Sequence, residues 1–478
     1  MAELHDLTAL QAAAQIRARN VSPTELVEHY LDRIDRLDGE IGAFVTVTAD
    51  SARQQARQAE AQVLAGVELP PLHGVPTAIK DLNLTAGVPT KLGSRLYQDY
   101  LAPVDDNVVR LLREAGTISL GKTATPEFGL PCYTETEIGP PARTPWDTGR
   151  LAGGSSGGAA AAVAAGFLPI AQGSDGGGSI RIPASVTGLF GLKPSRGRIS
   201  RGPLDADSSG LSVLGPLART VRDAAAFLDA TAIPQPGDPN WAPPLPAGES
   251  FLGWCDRPPE RLRIARYLQP PVPGAVVDPE CEAGWQAASR LLAELGHELV
   301  DIELPIPPMV IPAFETVWAV SANTVPVDPA RLAELRPLTR HLRERADKIS
   351  GADYAAAVGL LAMISRQAIV ATSGFDAVLT PTLAQPPRPI GWFCGTAEDP
   401  VDPAEDFERQ KRFTPYTAIY NASGQPAASL PLHWTADGLP VGVMLVGRPA
   451  GEAALLALCA QLESAAPWVD RHPPIWRR

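Results

Sequence analysis

Histidine is scarce in this chain, with seven among 478 residues (His5, His29, His73, His297, His341, His433 and His472), and none lies in the glycine- and serine-rich stretch that dominates its middle. A mechanism built on an imidazole therefore starts at a disadvantage. Cysteine is also sparse: Cys132, Cys255, Cys281, Cys394 and Cys459 form no C-x-x-C pair and have no neighbouring histidine. Neither a disulfide framework nor a zinc site is expected, and reduced thiols in the cytoplasm fit this usage. No dense Lys/Arg block occurs, and the net charge of -12 disfavours a nucleic-acid footprint. The segment Met1 to Asn20 lacks the apolar core of a signal peptide. The longest uncharged apolar stretch, Ala159 to Ala171, has 13 residues, so no membrane span is expected. Both phosphate-loop patterns, G-x-x-x-x-G-K-[ST] and G-x-G-x-x-G after a strand, are missing, which leaves a phosphate-binding module only as a distant alternative.

What is present is ordinary for a folded enzyme: 45% hydrophobic and 20% charged residues. Ser22-Pro23-Thr24-Glu25 has the form of a capping box, followed by Leu26, Val27, Tyr30, Leu31, Ile34 and Leu37 at helical spacing. The spacing predicts a mainly helical packing layer to about residue 65. Beyond His73 strands alternate with helices: Asp106 to Ala115 is stopped by Gly116 before the apolar run Thr117 to Leu120. The same grammar returns in Leu262 to Leu268, Pro279 to Leu295 and Glu298 to Leu304. Such alternation predicts an α/β fold with a central mixed twisted β-sheet covered by α-helices on both faces. Asp437-Gly438, between Ala427 to Trp434 and Pro440 to Val446, predicts a β-hairpin. Prolines, 49 in all, cluster at Pro234 to Pro246 and Pro381 to Pro389 as rigid loops. One domain over 1–478 is expected: a helical layer (1–65), a core with the chemistry (66–230), a partly helical substrate-side insertion (231–370) and the rest of the sheet (371–478).

The chemistry concentrates between Leu151 and Ser200. Gly153-Gly154-Ser155-Ser156-Gly157-Gly158 and Ser174-Asp175-Gly176-Gly177-Gly178-Ser179-Ile180-Arg181 bracket an alanine-rich helix. Glycines let consecutive N–H groups converge on one oxygen, and a serine at the end of such a loop stands beside the carbonyl it would attack. Ser179 fits that position. A base is still needed, and a lysine serves if burial lowers its pKa toward about 7–8. Lys80 closes the apolar run Val75-Pro76-Thr77-Ala78-Ile79, which carries it inward at a strand end. Taken singly, such a lysine is ordinarily a surface residue and such a loop ordinarily flexible; Gly153 to Gly157 also satisfies the α/β-hydrolase pattern G-x-S-x-G. Jointly the motifs say more.

His73-Gly74-Val75-Pro76, Lys80-Asp81, Gly121-Lys122-Thr123, the GGSSGG run, Asp175 to Pro183 and Gly191-Leu192-Lys193-Pro194 together resemble the amidase signature family. The likeness continues through Gly215 to Thr220, Asp376 to Thr382 and Asn421 to Pro426, covering nearly the whole chain. The resemblance implies a Ser–cis-Ser–Lys triad with Ser179 as nucleophile, Ser155 as the cis-peptide serine and Lys80 as base. The serines stand 24 positions apart, the family's spacing, which selects Ser155 over Ser156 and leaves Ser156 a supporting partner. It places the oxyanion donors on the backbone of Gly176, Gly177, Gly178 and Ser179, and makes Asp175 and Arg181 braces of the loop. Pro131 to Glu135 and Arg196 to Ser200 are similar to 6-aminohexanoate cyclic dimer hydrolases. Thr187 and Ala159 depart from the Cys and Ser of many members, away from the triad. The implied activity is hydrolysis of a small-molecule amide without cofactor or metal; the alternative is a glutamine amidotransferase A subunit. Tyr133, Trp318, Trp392 and Phe393 are candidates for an acyl pocket, and a homodimer is the commonest symmetric assembly for such a chain.

Overall fold

The computed structural model describes residues 3–205, 207 and 209–478. The capping box is formed: Ser22 Oγ accepts from the Glu25 amide at 3.0 Å, and the Glu25 carboxylate accepts from the Ser22 amide at 2.8 Å. It starts helix α2 (Pro23–Ile41), which follows α1 (Ala9–Arg17) and precedes α3 (Ala49–Ala65) in the N-terminal layer. The residues read as its inward face, from Leu26 to Leu37, are buried. A short strand, β1 (Phe44–Val47), interrupts this layer. Four residues are too few to show a period-2 pattern, so the sequence reads as helical throughout.

β1 joins β3 (Ile118–Thr123) and β2 (Pro76–Lys80) in a small sheet ordered β1-β3-β2, with helix α4 (Asn107–Glu114) crossing between the parallel strands β2 and β3. The large sheet has eight strands in the order β4 (Ile170–Asp175), β6 (Val213–Ala218), β5 (Phe190–Lys193), β10 (Ala427–Trp434), β11 (Pro440–Gly447), β9 (Ala377–Pro381), β7 (Arg263–Arg266), β8 (Glu298–Asp301). Pairing is antiparallel from β4 to β9 and parallel from β9 to β8, the mixed sheet expected. The hairpin about Asp437-Gly438 is β10–β11.

Alternation along β10 and β11 sends side chains to opposite faces. Ala428, Leu430, Val443 and Leu445 join a core with the helices Val221–Thr231, Pro279–Glu294 and Glu452–Ala465, while Ala427, Met444 and Val446 meet Tyr416, Tyr420 and Ile364 on the other side. The segment 231–370 is divided. β7 and β8 extend the main sheet, whereas the helices Val310–Ala322, Pro337–Ala346 and Gly351–Thr372 pack together beside it. Gly351–Thr372 is long and apolar enough, by length and composition, to cross a bilayer; here its Ala357, Leu361 and Ile364 pack into the fold.

Two connections set up the site. Thr77 Oγ1 donates to the Ile170 carbonyl at 3.1 Å and the Lys80 amide donates to Gln172 Oε1 at 2.9 Å, so β2 of the small sheet lies beside β4 of the large one. Helix α5 (Gly157–Ala164), built of small residues and wholly buried, packs close beneath; a Cβ on Gly158 would sit 2.3 Å from the Ala124 amide nitrogen. Helix α6 (Arg181–Thr187) follows the second glycine loop.

Candidate active site

β2 delivers Lys80 to the interior, where its side chain has no solvent exposure. Its Nζ lies 2.8 Å from Ser155 Oγ and 2.9 Å from Ser174 Oγ, with the Ser174 carbonyl at 3.4 Å. Burial holds the amine well below its ordinary pKa; Asp175 opposes that shift and Arg201 adds to it. No carboxylate hydrogen-bonds to Nζ among the described residues, so the environment favours the neutral amine. The Gly154–Ser155 peptide bond is cis.

Ser156 supports this arrangement. Its Oγ donates to the Ser174 carbonyl at 3.0 Å and accepts from the Ser174 amide at 3.2 Å, while its own amide donates to the Ser179 carbonyl at 3.1 Å. The two glycine-serine loops are thereby tied at the residue next to Ser155. Ser179 is 6% exposed and opens onto a cleft, and its Oγ has no hydrogen-bond partner among the described residues.

The loop between β4 and α6 is braced from inside. Asp175 and Arg181, both fully buried, pair through two contacts of 2.9 Å. Burial alone would raise the Asp175 pKa, but the Arg181 guanidinium holds the carboxyl well below the usual carboxylate range. Asn421 locks the pair: its Nδ2 donates to the Asp175 carbonyl and to Asp175 Oδ1, each at 2.8 Å, and its Oδ1 accepts from Arg181 Nη2 at 2.6 Å. Thr417 Oγ1 donates to the Gly177 carbonyl at 2.5 Å.

One expected donor is engaged elsewhere. The Gly178 N–H donates to Asp175 Oδ1 at 2.7 Å, and the same carboxylate accepts from the Ile180 and Arg181 amides as it caps α6. The N–H groups of Gly176, Gly177 and Ser179 have no acceptor among the described residues. These three, not Gly178, are free for an incoming oxygen.

The cleft above Ser179 is partly open and spans about 890 Å³, open solvent at its mouth included. Trp318 lines it, as expected, but Tyr133, Trp392 and Phe393 do not. Tyr133 donates to Asp406 Oδ2 at 2.6 Å and stacks on Phe393 at 4.7 Å; Trp392 meets the Phe393 edge and lies between the Arg388 and Arg409 guanidinium groups. They belong to a packed cluster with Leu151, Val186 and Leu383. Ser174, Thr417 and Asn421 were not singled out from the sequence. Asn421 falls within a run that carries the family likeness and Ser174 stands directly before another, yet no local pattern says which of their neighbours reaches the site.

Among the described residues no histidine hydrogen-bonds to Ser155, Ser156 or Ser179; His433 pairs with Glu280 at 2.9 Å and His73 bonds the Ala59 carbonyl at 3.0 Å. The G-x-S-x-G reading thus lacks its imidazole. Among the described residues no group of three His, Cys, Asp or Glu side chains is placed to hold a metal.

Residues 25–456 match the family described as Amidase. The chain belongs to the amidase signature family. It is 42% identical over 479 residues to the Mycobacterium tuberculosis protein named amidase AmiB2, with 98% of this chain and 99% of that one aligned. It is 36% identical over 494 residues to a 6-aminohexanoate-cyclic-dimer hydrolase of Paenarthrobacter ureafaciens, covering 98% and 96% of the two chains. A solved 6-aminohexanoate cyclic dimer hydrolase, 33% identical, superposes with a TM-score of 0.91 over 99% of this chain and 100% of its own. This amidase is accordingly an enzyme that acts on the carbon–nitrogen bond of amides.

Proposed function

We propose that this amidase hydrolyses a linear or cyclic carboxylic amide through a Ser179–Ser155–Lys80 relay and an acyl-enzyme intermediate. Neutral Lys80 takes the Ser155 proton while Ser155 takes that of Ser179, whose oxygen attacks the amide carbonyl. The Gly176, Gly177 and Ser179 N–H groups receive the oxygen that becomes negative. The relay then returns a proton to the leaving amine, and water hydrolyses the acyl-enzyme by the same path reversed.

The observation that carries this reading is the fully buried Lys80 amine, 2.8 Å from Ser155 Oγ and without a carboxylate partner. Buried lysines are normally paired; one kept neutral against two hydroxyls is placed to accept a proton. The tie between the Ser156 amide and the Ser179 carbonyl supports the second leg of the relay by holding the two loops together.

A panel of amides and esters on wild type and Ser179→Ala, with intact-mass spectrometry of quenched reactions, tests it. Wild type is expected to show a mass increment equal to the acyl group, absent in the variant. Turnover of glutamine in preference to every simple amide would instead favour the amidotransferase subunit.

A further inference from the structure

The helix Val310–Ala322 places Phe314 and Trp318 one turn apart, with rings stacked at 5.4 Å and 18°. This pair lies directly over the glycine loop. A Cβ on Gly176 would stand 3.3 Å from the Trp318 ring, and one on Gly177 would stand 3.5 Å from Phe314 Cζ. At Gly176 the bare backbone lets the Trp318 ring edge rest close against the segment that carries the free N–H groups, and at Gly177 the Phe314 ring tip lies at ordinary packing distance. A carbonyl held there, within reach of Ser179, has to send its substituent along these rings.

The rest of the cleft is consistent with an uncharged occupant. Leu130, Ile182, Ile311 and Phe407 complete its apolar wall. Among its described lining residues Lys411 is the one charged side chain, and it is engaged by Glu315 and by Glu408 at 2.5 Å, with Arg345 on Glu315 at 2.8 Å. A substrate carboxylate or ammonium would enter this space without a free counter-charge, which is strongly unfavourable.

Building on the amide-hydrolysis reading above, we propose that the substrate is a neutral amide bearing an aromatic or similarly flat apolar group a few bonds from the carbonyl, and that Phe314 and Trp318 select it. Stacking and burial of one such ring are worth about a 10- to 100-fold preference in kcat/KM. Free glutamine, with two charges beside its chain, is disfavoured.

The test compares 3-phenylpropanamide, propanamide, 3-(4-carboxyphenyl)propanamide and glutamine on wild type, Phe314→Leu and Trp318→Leu. Wild type is expected to prefer the phenyl amide over propanamide by about 10-fold or more, with the carboxylated analogue falling back to the propanamide level. Each variant is expected to reduce the phenyl-to-propanamide ratio by about 10-fold, chiefly through KM. The ratio is taken within one preparation, so a partly unfolded variant still reports it. Ser179-dependent turnover of propanamide without a phenyl preference, equal turnover of the carboxylated analogue, or an unchanged ratio in both variants overturns this inference and leaves amide hydrolysis standing. Absence of turnover and of an acyl-enzyme on every amide overturns both.

Discussion

Replacing Lys80 with methionine, similar in length but without an amine, is expected to make the protein more stable and nearly inactive. In the unfolded chain a lysine holds its proton at its ordinary pKa near 10.4, so keeping the buried side chain neutral at pH 8 costs about 3 kcal/mol. The contacts to Ser155 Oγ and Ser174 Oγ, at 2.8 and 2.9 Å, offset part of this. At about 1 kcal/mol each, they leave a net cost of roughly 1 kcal/mol that methionine does not carry. The sign with pH follows from protons bound. Because burial depresses the Lys80 pKa in the fold, the unfolded chain binds more protons than the folded one between that depressed value and the ordinary one. Wild-type stability therefore rises with pH in that window, by about 1.4 kcal/mol per unit from this group. The methionine variant lacks this slope. Thermal unfolding of both proteins from about pH 7 to about pH 9.5 should show the variant ahead at the low end and its lead closing, then reversing, as pH rises. Over the same series kcat/KM of the variant should lie about 10²- to 10⁴-fold below wild type, the range for loss of a positioned base. Wild-type activity should fall toward acid as Lys80 gains a proton. A difference in melting temperature that does not move with pH means that the folded lysine is charged, and the relay then has no acceptor.

Ser179→Ala should lower kcat by about 10³-fold or more and abolish the acyl-enzyme mass; residual turnover with a trapped acyl group would place the nucleophile elsewhere. Asn421→Ala strips hydrogen bonds of 2.6 to 2.8 Å from the buried Asp175–Arg181 pair. It should destabilise the protein by about 2–4 kcal/mol in denaturant titrations and lower kcat more than it raises KM; unchanged kcat would show that the brace does not govern the loop. His433→Gln, which removes only the 2.9 Å contact with Glu280, should leave kcat/KM within about twofold, whereas a loss above about 100-fold would revive an imidazole mechanism.

How far the site was legible can be judged residue by residue. Lys80 and Ser179 were reached from short runs whose composition constrains their surroundings, whereas Ser155 and Ser156 were reached through the likeness to the amidase signature family. The apolar strand ending at Lys80 and the glycine runs holding the serines are local patterns with local causes. The family likeness put a donor at each of Gly176, Gly177, Gly178 and Ser179, and nothing local in the run distinguishes the three glycines. Only the position of the Asp175 carboxylate separates them. The four aromatic candidates were likewise indistinguishable: Trp318 faces the cleft because of how the helix Val310–Ala322 lies on the glycine loop, and Tyr133 and Phe393 turn inward onto each other. Asn421 is 246 positions from Asp175, and no pattern around either residue names the other.

By itself the sequence determined the alternation of strands and helices, the hairpin at Asp437-Gly438 and the capped helix Pro23–Ile41. These depend on interactions between residues close along the chain, such as caps, turns and periodic apolar faces. Tertiary structure alone decided that β2 lies beside β4, that Lys80 is sealed from water against Ser155 and Ser174, that Asn421 locks the Asp175–Arg181 pair, and that one aromatic pair roofs the loop. Desolvation and hydrogen-bond pairing are properties of what surrounds an atom in space, and in this fold the surroundings come from segments dozens to hundreds of residues apart.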